Sequence, residues 1–149
     1  MSLPMTPGLL LLLVDDDDND LTLFRAAVGK ANLPLMVDGV SNGQRAIEYL
    51  EDPAKTDRLP DIVILDLHMP LKNGLDFLHW RQSSPFARIP VIVFTGLEDL
   101  GERRRALACG ANLVLEKPLK FQELVELVRN IGSISLDNEK VTSCSVSHA

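Results

Sequence analysis

Ile62-Val63-Ile64-Leu65 is an unbroken apolar row, three of its four residues β-branched, and it runs straight into the carboxylate of Asp66. A strand with one wet face alternates apolar and polar residues; a row without alternation is a strand covered on both faces. The same pattern recurs at Leu9 to Val14 and at Ile89 to Phe94, and in shorter form at Pro34 to Val40 and Leu113 to Leu115. Doubly covered strands belong to parallel sheets with helices on each side, which restricts the fold class before any other residue is considered.

The segments between these rows carry helical period. Residues 20–31 place Leu21, Phe24 and Val28 on one face, with Gly29 near the end. Residues 44–50 turn Ala46, Ile47 and Leu50 inward, and 74–82 turn Leu75, Leu78 and part of Trp80 inward. A helix over 98–109 stops at Gly110, and 121–131 presents Phe121, Leu124, Leu127, Val128 and Ile131 to the core. Five strands alternating with five helices require right-handed crossovers. The expected architecture is an α/β, flavodoxin-like, doubly wound five-stranded parallel sheet of order 2-1-3-4-5. It fills residues 9–131 as one domain, with a disordered lead over 1–8 and a Ser-rich flexible tail over 132–149.

Charge narrows the function. The net charge of −6 disfavours a broad nucleic-acid or anionic-membrane surface, and Arg103-Arg104-Arg105 is too short for a binding tract. Leu9 to Val14 lacks a preceding basic residue and is followed by four aspartates, so it is neither a signal peptide nor a membrane span. Cys109 and Cys144 have no metal-ligand spacing, and a reduced, cytoplasmic setting is expected.

The polar residues collect at strand ends: Asp15 and Asp16, Asp66, Thr95, and Lys117. In a doubly wound sheet these ends share one edge, and the topological switch brings the first and third strands together. Carboxylates about 4 Å apart repel by ~1–4 kcal/mol per pair, so the crevice needs cations. Mg²⁺ suits a set of oxygen ligands, and Lys117 supplies a second positive charge. Asp66 can then act as a nucleophile and accept a phosphoryl group, with Lys117 and Thr95 on the phosphoryl oxygens.

Val14-Asp15-Asp16, Ile64-Leu65-Asp66-Leu67-His68-Met69-Pro70 with Asn73-Gly74, Val93-Phe94-Thr95-Gly96 and Glu116-Lys117-Pro118 together resemble the receiver domain of two-component response regulators. Each motif is weak alone; all four in order, each at a strand end, are specific. The resemblance implies that Asp66 is phosphorylated by a sensor histidine kinase or phosphotransfer protein in a phosphorelay. It implies that Asp15, Asp16, Asp66 and the backbone carbonyl of His68 hold Mg²⁺, and that Thr95 and Lys117 bind the phosphoryl group. The long loop 51–60, the Arg88-Ile89-Pro90 stretch and the lack of an output domain further resemble single-domain regulators that partner phytochrome kinases. Output is then expected through contact with a downstream protein, or a second copy, at the face made by the fourth helix, fifth strand and fifth helix, without direct DNA or membrane binding.

The chain departs from the family pattern at two places. Val114 stands three residues before the lysine, where Tyr or Phe is common, so an aromatic rotamer switch is missing. Leu97, two residues after Thr95, is apolar and is expected to shield the phosphoryl group and slow its hydrolysis. Several acidic and basic residues have duller readings: Asp17 and Asp18 as a solvated turn, Asp20 as a helix cap, His79 as helix surface. An aspartyl-nucleophile hydrolase is disfavoured because His68, not an acid, follows Asp66 by two residues. A flavodoxin-like electron carrier is disfavoured because the aspartates after the first strand would repel a flavin phosphate.

Overall fold

The computed structural model describes residues 8–55, 58–67, 73–96 and 100–136. The strands are β1 (Leu9–Val14), β2 (Leu35–Val40), β3 (Ile62–Asp66), β4 (Val91–Thr95) and β5 (Leu113–Glu116). Between and after them lie α1 (Asp18–Ala31), α2 (Gly43–Glu51), α3 (Asn73–Gln82), α4 (Leu100–Ala108) and α5 (Phe121–Leu136). All pairings are parallel and the strand order is β2-β1-β3-β4-β5, the doubly wound order expected.

The unbroken apolar rows follow from two cores, one on each side of the sheet. Leu11 and Leu13 of β1, Ile62 and Ile64 of β3, and Ile92 and Phe94 of β4 pack against Phe24 and Val28 of α1 and Val125, Val128 and Ile131 of α5. Their neighbours Leu12, Val14, Val63, Leu65, Val91 and Val93 pack on the other face against Ala46, Leu50, Phe77, Leu78 and Ala106 of α2, α3 and α4. Successive side chains point to opposite faces, and both faces are dry.

Local chemistry sets the helix ends. Asp17 caps α1, its carboxylate accepting from the Asn19 amide at 2.9 Å, and Asn42 caps α2 by accepting from the Arg45 amide at 2.8 Å. The helix α1 therefore begins at Asp18 rather than at 20; it runs to Ala31, as expected, and closes on Asn32 in the left-handed region (φ 56°). The turn after α4 uses Gly110 at φ 100°, as its position implied. The loop after α2 contains a 3-10 turn over Pro53–Lys55. Two expectations are corrected at the C-terminal end. The helix α5 runs to Leu136, past the expected boundary at 131, and Phe121 is 43% exposed instead of core-facing. Val128 and Ile131 are buried as expected, Leu124 and Leu127 pack partly buried against the same core, and Val125 joins them.

The N-terminal edge of the sheet is braced by side chains. Asp61 accepts from the Leu10 amide at 2.8 Å, and Arg58 donates to the Gly8 carbonyl. Arg81, 4% exposed, donates to the Ile89 carbonyl through Nε (3.0 Å) and Nη2 (2.7 Å), to the Gly110 carbonyl, and to Asn112 Oδ1. Asn112 Oδ1 also accepts from the Val91 amide, so one guanidinium joins α3 to the starts of β4 and β5. Burial pulls Arg81 down to about 10 without discharging it at neutral pH. At the outer edge of the sheet, Arg25 of α1 donates two hydrogen bonds to the Val37 carbonyl of β2, which blunts that edge against strand addition.

Candidate functional site

At the opposite edge, β1 and β3 lie side by side with Val14 paired to Leu65. The next residues, Asp15 and Asp66, are thereby brought together, and both are almost fully buried. Asp66 is paired to Phe94 across β4, which puts Thr95 one step beyond it, and the Lys117 amide donates to the Thr95 carbonyl at 3.2 Å. Asp15, Asp66, Thr95 and Lys117 are thus gathered at one edge, as the strand-end pattern required.

Asp20 joins them. Carboxylate oxygens of Asp15, Asp20 and Asp66 lie within 4.8 Å of one another. Lys117 Nζ donates to Asp20 Oδ2 and to Asp66 Oδ2, both at 2.6 Å, and lies 3.5 Å from Asp15 Oδ2. The reading of Asp20 as a cap is therefore corrected. Asp17 holds the cap position, and Asp20, three residues on, turns back over the strand ends. The signal was the cap spacing: a helix begun one residue after Asp17 puts Asp20 in the turn that faces the sheet edge.

Asp16 is exposed and is not among the three converging carboxylates. His68 and Leu97 lie outside the described residues. Thr95 is fully buried and its hydroxyl donates to the Gly96 carbonyl at 3.2 Å. Val114 is buried in the core beneath α4. Asp18 and His79 are exposed, as expected.

The electrostatics are those of crowded anions around one cation. Burial, then a hydrogen bond with Asp20 and the nearby Asp66, pushes Asp15 up to about 8, against the opposing pull of the Asp17 amide and Lys117. Burial acts to raise Asp20 too, but the hydrogen bonds from Asp15 and Lys117 outweigh it and hold Asp20 below the usual carboxylate range. Burial alone would lower Lys117; Asp20 and Asp66 override it and hold the ammonium above the ordinary lysine range. Three carboxylates against one ammonium, with only oxygen donors, form a set that fits a hard divalent cation. Beside the cluster a groove of about 90 Å³ opens between α1 and the start of α5, walled by Leu23, Leu119 and Phe121.

Residues 11–129 match the family model described as the response regulator receiver domain. The chain belongs to this receiver family. It is 31% identical over 124 residues to a probable methanogenesis regulatory protein, FilR2, of Methanothrix harundinacea, covering 82% of this chain and 80% of the relative. It spans about half the length of other curated relatives, among them the transcriptional regulatory protein AruR of Pseudomonas aeruginosa. Among solved structures, the receiver is similar to the phosphorylated cyanobacterial phytochrome response regulator RcpA, with 27% identity and a TM-score of 0.75 over 87% of this chain and 94% of RcpA. It is also similar to the Mn²⁺-bound response regulator Rcp1, with 25% identity and a TM-score of 0.70 over 85% of this chain and 93% of Rcp1. Receiver domains accept a phosphoryl group in two-component signalling, and one such relative, Rcp1, is known in a Mn²⁺-bound form.

Proposed function

We propose that the chain is a single-domain response regulator whose phosphoacceptor is Asp66. The observation that carries this is the placing of Asp66: buried at the end of the central strand, with Lys117 Nζ at 2.6 Å. A carboxylate oxygen of Asp66 attacks the phosphorus of a phosphohistidine on a sensor kinase or phosphotransfer protein. The P–O bond forms as the P–N bond breaks, and the electron pair leaves on the imidazole nitrogen, which takes up a proton. Lys117 pairs with one phosphoryl oxygen, and the Thr95 hydroxyl leaves the Gly96 carbonyl to donate to another. The Mg²⁺ site would draw on Asp15 and Asp66 of the cluster, with Asp16 and the His68 carbonyl as the family resemblance assigns them. When bound, Mg²⁺ neutralises developing charge on the phosphoryl oxygens.

The similarity to RcpA and its 94% coverage support a phytochrome-type kinase as donor. Output would pass by a shift between two conformations to the face of α4, β5 and α5, there to be read by a downstream protein or a second copy. The domain would catalyse only its own phosphorylation and dephosphorylation.

The test is intact mass after incubation with acetyl phosphate, with and without Mg²⁺, for the wild type and Asp66→Asn. The expected result is one added phosphoryl group that requires Mg²⁺ and is missing from the variant. No adduct on a folded wild type, or an adduct retained by Asp66→Asn, overturns the assignment.

A further inference from the structure

Lys117 stands where a cation is wanted, and that creates a conflict. Its ammonium contacts all three converging carboxylates, and held wholly against Asp66 it would mask the nucleophile and occupy the place of the metal. Asp20 relieves this. It is the outermost acid of the cluster, its side chain 25% exposed where those of Asp15 and Asp66 are 3% and 2%. It comes from α1 rather than from a strand end, and it holds Lys117 Nζ as closely as Asp66 does. The ammonium is thus shared between the floor of the crevice and its mouth.

We propose, building on the phosphoacceptor reading, that Asp20 is a positioning residue. It draws Lys117 toward α1, so that a divalent cation can take Asp66 and Asp15 while the ammonium stays within reach of an incoming phosphoryl oxygen. Without Asp20 the ammonium has, among the described residues, Asp66 and Asp15 left to pair with, and the metal must compete with it for both. Asp20 therefore acts through Lys117, and its effect on the metal depends on Lys117 being present.

A double-mutant cycle isolates that dependence. Mg²⁺ affinity is measured by calorimetric titration on the full chain for the wild type, Asp20→Asn, Lys117→Met and the double variant, with melting in the absence of Mg²⁺ as the check on folding. If Lys117→Met does not fold, Lys117→Gln, which keeps a polar end in the crevice, replaces it. Asp20→Asn is expected to weaken Mg²⁺ binding at least about threefold more when Lys117 is present than when it is replaced. Asp20→Glu, which restores an acceptor for the ammonium, is expected to recover most of the loss. Equal weakening in both backgrounds, within about twofold, means that Asp20 acts on the ion directly as a ligand or bare charge, and overturns the proposal. A wild type that does not bind Mg²⁺ at all overturns the metal-site reading beneath it, an outcome distinct from equal weakening.

Discussion

Arg81 carries a charge almost out of reach of water, and its partners are neutral oxygens: two backbone carbonyls and the amide oxygen of Asn112. Removing it leaves the Ile89 and Gly110 carbonyls short of a donor in a dry region, where an unsatisfied group costs about 1–3 kcal/mol. Arg81→Met is therefore expected to lower stability by roughly 3 kcal/mol, read as a lower urea midpoint with an unchanged slope. Arg81→Lys should recover little, because one ammonium cannot span the fork of acceptors that a guanidinium reaches. This residue was passed over in the sequence. Arg81 sits on an otherwise ordinary helix end, and nothing in its neighbours shows that Asn112, 31 positions away, will meet it.

The strands were legible because double burial writes itself as an unbroken apolar row, and the order of the sheet followed from their alternation with helices. What could not be read was how each helix is rotated over the sheet. In α5 the expected face packs inward through Leu124, Leu127, Val128 and Ile131, with Val125 added, but the first turn is rotated far enough to leave Phe121 outside. In α1 the start depended on which of several successive aspartates became the cap, and that choice is what carried Asp20 into the site. Turn glycines were easier, since a position just past a helix end has one common conformation. At Gly110 (φ 100°) an added Cβ would lie 2.9 Å from the Gln82 amide nitrogen. Gly110→Ala is expected to cost about 1–3 kcal/mol from the backbone strain, measurable as a lowered thermal midpoint, with Gln82 moving aside. Since the strain is confined to the far edge of the sheet, phosphorylation by acetyl phosphate should persist below the new midpoint.

For the molecule as a whole, the acid cluster is a standing cost to the folded state. Three carboxylates in one crevice with one ammonium repel, and the unfolded chain is free of that crowding. A ligand that binds only the folded protein stabilises it in proportion to the logarithm of its concentration. Mg²⁺ at about ten times its dissociation constant is expected to add roughly 1.4 kcal/mol and raise the thermal midpoint accordingly. The shift should disappear with Asp15→Asn combined with Asp66→Asn, and chelation of the metal should reverse it in the wild type. A midpoint indifferent to Mg²⁺ would refute the metal assignment at the level of stability, independently of any phosphoryl transfer.

The bracing of the sheet is lopsided, and this has a mechanical side. Asp61, Arg58 and Arg81 clamp the starting ends of the strands with directed hydrogen bonds into backbone groups. The other ends meet around a handful of charges whose balance changes whenever an ion or a phosphoryl group arrives. A beam fixed at one end deflects most at its free tip. The sheet is a set of such beams laid side by side, so a chemical event at the tips is expected to displace the strand ends there more than the clamped ends.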